Sequence, residues 1–460
     1  MTKKTLLIAA WLISMGSMAQ TPVYLDDNKP VEDRVEDVMQ RMTPAEKEAL
    51  AQTCFLPRAT GVPRLGIPPF VVDTLPNPMF PSVECLLASW NPELFRLLGN
   101  YSAEQALYRR VDAIADATPP ERGEDAYLTA LMLPPYEEGV RAYGVALKDD
   151  LRPLGAPQPE DNRLRWALKL YYQTSMNRQR PMGFVGTEAQ QQAARTMAEE
   201  SVVLLKNESG CLPLTKGDAG RIWMVGSHPV EGLEAALAQR GIQADCKNGT
   251  FEEVSLKVGT GDLVVLTENY SDRTETGFLK KCPALLQAGE LGAAGADALA
   301  ALLAGEANPS GRLPFEWKGR APKEEKDDKG PLFALGHGLS YTSFELSNIT
   351  QSGREIPAGG DILVTVTVTN TGDREGSTVV QLYIHDIKTS LPKPDKSLQG
   401  FQKVTLQPGE SQEVTFAINE ASLLFYDEEA EDWIAEPGFY TAYVGFSMND
   451  TPLKVRFHLK

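Results

Sequence analysis

The strongest constraint on the fold lies in the last hundred residues. Ile362, Val364, Val366 and Val368 alternate with Leu363, Thr365, Thr367 and Thr369, and the run ends at Asn370-Thr371-Gly372. A period of two sends one set of side chains to each face of an extended strand, and Asn-Thr-Gly supplies a turn. A helix cannot bury this pattern, because its apolar stripe recurs every three to four residues. Segments 379–384, 413–418, 438–446 and 453–459 give further strands at short spacing, with turn signals between them. The pattern predicts an antiparallel β-sandwich of immunoglobulin or fibronectin type III shape within residues 346–460, with an independent seven-stranded unit from about Gly359 to Lys460.

The preceding stretch reads differently. Thr187 is a helix N-cap with Gln190 three residues on, and its helix runs into Val202-Val203-Leu204-Leu205. Short β-rich pieces at 221–225 and 262–267 then alternate with helices near 232–239 and 293–304, which predicts an open α/β layer over 187–345. The charged stretch 320–329 reads as a solvated linker or loop. Upstream, Val31, Val35, Val38, Met39 and Met42 define one face of a helix. Thr43, Pro44 and Glu46 then form a capping box that opens a second helix. Further helices are expected at 92–108 and 162–172, with few clean strands between residues 20 and 185.

Residues 1–19 read as an export signal. Lys3 and Lys4 form the basic segment, Leu6–Ile13 the apolar segment, and Ser17-Met18-Ala19 the small-residue cleavage site. The apolar stretch is short of the roughly 20 residues needed to span a bilayer. The chain of 460 residues carries a net charge of −17, or −19 once Lys3 and Lys4 leave with the signal. That balance argues against a nucleic-acid partner and against polybasic attachment to lipid. The five cysteines (54, 85, 211, 246 and 282) and four histidines (228, 337, 385 and 458) show no metal-ligand spacing, so no metal and no cofactor is expected. Buried free thiols, or at most one incidental bridge, are the expectation for the cysteines.

Several longer motifs occur in one order along the chain. Near the start stand Tyr24-Leu25-Asp26, Arg64-Leu65-Gly66-Ile67-Pro68-Pro69, Ala88-Ser89-Trp90-Asn91-Pro92 and Gly123-Glu124-Asp125-Ala126-Tyr127-Leu128. Further on come Glu199–Asn207, Asn308-Pro309-Ser310-Gly311-Arg312-Leu313-Pro314, Leu335-Gly336-His337-Gly338-Leu339-Ser340-Tyr341-Thr342 and Leu398-Gln399-Gly400-Phe401. In this order they resemble glycoside hydrolase family 3, the exo-acting β-glucosidases and β-xylosidases. The resemblance implies a multidomain α/β plus all-β chain. Its parts would be a (β/α)-barrel-like domain over 20–186, an α/β sandwich over 187–345 and a C-terminal fibronectin type III-like β-sandwich over 346–460.

The departures from that family bear directly on chemistry. A retaining glycosidase needs a nucleophilic carboxylate and an acid/base about 5–5.5 Å apart. The family nucleophile is the Asp of a Ser-Asp-Trp segment, yet none of the six tryptophans here follows Ser-Asp; the sole Ser-Asp pair is Ser271-Asp272. A (β/α)₈ barrel takes 200 residues or more, whereas about 160 separate Asp26 from Gly186. Roughly half the barrel is expected to be missing between Asp150 and Asn162, so the first domain is expected to be an incomplete barrel. No nucleophile is identified.

Three residues remain as site candidates through the resemblance. Asp73 follows the Ile67-Pro68-Pro69 entry, where the family places a sugar-binding carboxylate; otherwise it is a loop Asp before Pro76. Lys148 corresponds to a sugar-gripping Lys without its adjoining His, or is a solvated lysine. Glu268 precedes Asn269-Tyr270-Ser271-Asp272-Arg273, which resembles the acid/base segment one residue out of register, and otherwise is a surface Glu. Glu124 and Asp125 are read as helix caps, and 427–432 as a solvated hairpin tip. The expected partner is a β-linked oligosaccharide or glycoside. Three functions stay open: an exported exo-glycosidase with weak or lost activity, a non-catalytic protein that binds glycans or a protein partner, and a shortened gene product without selected activity.

Overall fold

The computed structural model describes residues 21–53, 58–115, 125–147, 150, 160–176, 180–268, 278, 281–317, 332–390, 393–427 and 431–460. The proposed signal, Cys54, Glu124, Lys148, the segment 269–273 and the charged stretch 320–329 lie outside the described residues. The chain divides into two compact units. One comprises residues 1–75, 100–117 and 140–185, and the other 76–99, 118–139 and 186–460.

In the first unit, the helix Val31–Arg41 buries Val35, Val38 and Met39 on the stripe expected from their spacing. Thr43 and Glu46 close their capping box on the helix Pro44–Thr53: Glu46 N donates to Thr43 Oγ1 at 3.3 Å and Thr43 N to Glu46 Oε2 at 2.8 Å. The helix Glu160–Gln173 buries Leu164, Ala167, Leu168, Tyr171 and Tyr172. Full burial of an aliphatic side chain contributes about 1.5–3 kcal/mol, so these stripes hold the helices down. The sheet they cover is small. Strand β1 (Arg58–Ala59) pairs antiparallel with β2 (Phe70–Asp73), and β2, β3 (Ala113–Ile114) and β4 (Ala146–Leu147) run parallel. The helices Pro92–Arg109 and Ala126–Ala142 fall between these strands in the chain, which is the alternation of a (β/α) barrel. Three parallel strands of two to four residues are present among the described residues, and no closed barrel forms from them.

The second unit contains two layered bodies. In the α/β body, β5 (Val203–Asn207), β6 (Ala219–Val225), β7 (Gln243–Gly249), β8 (Leu263–Leu266) and β9 (Ala284–Gln287) take the order β5-β9-β8-β6-β7. All neighbours are parallel except β5 and β9. Strands β8 and β9 are buried end to end because the sheet is covered on both faces. Thr187 and Gln190 form the expected capping box on the helix Glu188–Ser201.

The sandwich stacks the sheet of β10 (Phe344–Gln351), β11 (Ile362–Asn370) and β14 (Ser411–Ile418) on a second sheet. That sheet contains β12 (Gly376–Asp386), β13 (Ser397–Leu406), β17 (Gly438–Gly445) and β18 (Leu453–Leu459). Ile362, Val364, Val366 and Val368 all point into the core, while Thr365 and Thr369 bond across the outer face to Thr415 and Ser411. A separate hairpin joins β15 (Phe425–Asp427) to β16 (Asp432–Ile434).

The two longest C-terminal motifs interlock through glycine. An added Cβ on Gly311 would lie 2.4 Å from the Val202 carbonyl oxygen, and one on Gly338 would lie 2.3 Å from that of Gly311. Three backbone segments therefore stack at a separation only glycine permits. Asn308 Oδ1 accepts from Ser340 Oγ and from Tyr341 N, both at 2.8 Å, fastening the same two motifs a second time. Gly311→Ala is expected to destabilise the protein by about 3 kcal/mol through overpacking against fixed backbone. Thermal melting of the purified variant checks this, and a melt unchanged from the parent would contradict the interlock.

Candidate active site

Asp73 is the last residue of β2, at the C-terminal end of the parallel strands, where barrel folds carry their chemistry. Its neighbour across the ladder is Ile114, its carbonyl accepts from Ala115 N at 2.9 Å, and the residue is exposed. Asp112, just before β3, is the carboxylate buried in this region. Its Oδ2 accepts from Val71 N at 2.9 Å and its Oδ1 from the Arg180 guanidinium at 2.9 Å. Burial pushes the Asp112 carboxyl above the usual carboxylate range, against the lowering effect of those bonds. Asp112 was not anticipated from sequence, because its partner lies 68 residues away.

Glu268 belongs to the second unit. It stands two residues beyond β8, half-buried, at the edge of the sheet to which the parallel strands deliver their C-terminal ends. Open α/β sheets bind ligands at that edge. Gln287, at the end of neighbouring β9, donates from Nε2 to the Glu268 carbonyl at 2.7 Å. On the other side, Gly226 follows β6 with φ of +137°, and a Cβ there would come within 2.5 Å of Glu268 Cγ. Glycine thus leaves room for the Glu268 stem over the end of β6. The backbone of His228 continues this rim, donating to the Thr267 carbonyl at 3.2 Å. Gly226, His228 and Gln287 become visible only once the order β9-β8-β6 is known; a glycine or polar residue ending each strand was the available signal.

Asp73 and Glu268 therefore fall in different units, and Lys148 lies outside the described residues. Asp125 caps the helix Ala126–Ala142, its Oδ1 accepting from Leu128 N at 2.8 Å. Cys85, Cys211, Cys246 and Cys282 are free thiols. Cys85 is fully buried and its thiol is pushed up to about 12, which removes it from nucleophilic chemistry near neutral pH. Among the described residues no group of three or more His, Cys, Asp or Glu is arranged to hold a metal ion, and no helix is long and apolar enough to cross a membrane.

Comparison with known proteins adds two domain matches and a set of relatives. Residues 245–341 match the glycosyl hydrolase family 3 C-terminal domain, and residues 378–448 match the fibronectin type III-like domain. A β-glucosidase of Bacteroides ovatus is 24% identical over 713 aligned positions, covering 95% of this chain and 95% of that protein. The alignment is longer than the 460-residue chain itself, so it crosses long stretches of the relative that have no counterpart here. A periplasmic β-glucosidase of Salmonella typhimurium is 36% identical over 191 residues, which make up 36% of this chain and only 25% of that protein. Among solved structures, the family 3 β-glucosidase of Bifidobacterium adolescentis superposes with a TM-score of 0.76 at 19% identity, over 92% of this chain and 95% of that one. β-Glucosidase 3B of Thermotoga neapolitana gives 0.75 at 17% identity, over 92% and 98%. The chain thus matches the family 3 C-terminal domain followed by a fibronectin type III-like domain, and along most of its length it is similar to β-glucosidases of glycoside hydrolase family 3.

Proposed function

We propose that the protein is exported, engages β-linked oligosaccharides or glycosides, and hydrolyses terminal β-linked sugars weakly or not at all. One observation carries this reading: the Ser-Asp-Trp segment that would hold the nucleophile is absent from a first domain with three parallel strands among its described residues. A retaining glycosidase forms its glycosyl–enzyme bond to that carboxylate, and the acid/base alone cannot replace it. Glu268 is proposed as the remnant of the acid/base segment, with Asp73 and Lys148 as sugar contacts. Domains over 20–186, 187–345 and 346–460 are proposed on the same grounds.

Export is supported by the ordered basic, apolar and small-residue segments before Gln20, and the Salmonella relative is named periplasmic. Expression in a Gram-negative host should yield periplasmic protein whose N-terminal residue is Gln20. Recovery of the full-length chain in the cytoplasm would contradict this. For glycoside engagement, calorimetric titration of the mature protein with cellobiose and xylobiose is expected to give a Kd of about 1 mM. Hydrogen exchange should slow at 263–268 and 287–289 on adding sugar, and less so in Glu268→Ala. Absence of protection there with either disaccharide would overturn the reading.

A further inference from the structure

The second unit carries a cavity of about 650 Å³ that none of the chemistry above uses. Its walls come from well-separated parts of the chain: Asp125 at the start of the helix Ala126–Ala142, Phe315 and Glu316 just after the 308–314 motif, Lys396 and Ser397 leading into β13, and Asn449 on the turn between β17 and β18. We infer that this cavity is a second saccharide site, for a neutral β-linked oligosaccharide of two or three sugars. The choice of sugar class rests on the proposed engagement of β-glycosides; the residues lining the cavity all belong to the second unit.

The lining discriminates among ligand classes. Carboxylates from Asp125, Glu316 and Asp395 oppose an anionic ligand. A metal ion is not favoured, since no three ligating side chains converge among the described residues. A wholly apolar ligand would desolvate the carboxylates without giving them a hydrogen bond. A sugar presents hydroxyl donors to these carboxylates and accepts from the Asn449 amide. The volume falls within the roughly 300–1,000 Å³ usual for small-ligand sites.

The walls are fixed in advance of any ligand. Lys396 Nζ donates to the Met448 carbonyl at 3.0 Å and to Thr451 Oγ1 at 3.2 Å, so its ammonium holds the turn that presents Asn449. Met448 N donates to the Leu335 carbonyl at 3.0 Å, tying that turn to the second signature motif. Asp125 is held by Leu128 N. Such preorganisation reduces the ordering entropy that a weak ligand must overcome.

Titration of the mature full-length protein with cellotriose and xylotriose, followed by hydrogen exchange, tests this. Sugar is expected to protect 394–397 and 447–451, with a Kd of about 1 mM at that site. Glu316→Gln removes an acceptor, and Asn449→Trp, on an exposed turn that tolerates bulk, fills the mouth. Each should raise that Kd tenfold or more, while Glu268→Ala leaves it unchanged. Protection confined to 263–268 and 287–289, lost in Glu268→Ala and indifferent to Asn449→Trp, would overturn the second site and leave the proposed function standing. Absence of protection at 394–397 with both trisaccharides would also overturn it.

Discussion

Purified mature protein should release nitrophenol from aryl β-glucosides and β-xylosides more slowly than about 10⁻³ s⁻¹. Enzymes typically turn over at 1–10³ s⁻¹, and deleting a nucleophile that acts in concert with its partners removes about 10⁴-fold or more. Four decades correspond to about 5.5 kcal/mol of lost transition-state stabilisation. What Glu268 can still supply is proton donation to a leaving group, which contributes about 10²–10⁴-fold when the group is well placed. A nitrophenolate leaving group needs that help least, so aryl glycosides are the most sensitive probe of any remaining activity. Release at about 1 s⁻¹ or faster would sink the prediction. Glu268→Ala and Asp73→Ala would then show which carboxylate had taken over the attack.

The parts of this molecule that were legible in the sequence are those where burial repeats with a fixed period. Ile362 to Val368 read as a strand because one face is core and the other is solvent. The stripe Val35, Val38, Met39 read as a helix for the same reason. β7 was missed because it is a polar edge strand, Gln243 to Gly249, with little buried on either side. β13 was missed because Gly400 and Lys403 interrupt its alternation. Gly400 is needed there, since a Cβ would come within 2.8 Å of the Phe416 ring. Lys403 is instead tied down, with Nζ donating to Glu200 at 2.7 Å and to the Ser89 carbonyl at 2.8 Å. The barrel strands β3 and β4 are two residues long, too short for any period to register. The candidate site followed the same rule: Glu268 was named only by resemblance, and its neighbours Gly226 and Gln287 depend on strand order, which no local pattern encodes.

In the barrel-like domain, with its three short parallel strands among the described residues, Asp112 and Arg180 form a largely buried ion pair. Their side chains are 8% and 15% exposed, and the pair joins the segment after the helix Glu160–Gln173 to the start of β3. The guanidinium also donates to the Val111 carbonyl at 3.3 Å, while its Nε is buried without a hydrogen-bond partner. Compensation is therefore incomplete, consistent with a carboxyl whose pKa burial has raised. Removing one partner leaves the other charge buried and unpaired, so Asp112→Ala should destabilise the first unit by about 3–5 kcal/mol. Removing both charges relieves most of that, and Asp112→Ala with Arg180→Met should recover at least half of the loss. The pH dependence has a definite sign. A carboxyl with a raised folded-state pKa holds its proton to higher pH than the unfolded chain, so its contribution to stability falls as pH rises from about 3.9 through the folded-state value. Asp112→Ala should flatten that limb as well as lower the whole curve. Thermal melts followed by hydrogen exchange at 70–73 and 113–114 across pH 4–8 would measure both effects. A single variant melting within about 2 °C of the parent, or a double variant worse than the single, would show that the reduced domain is held by its apolar core instead.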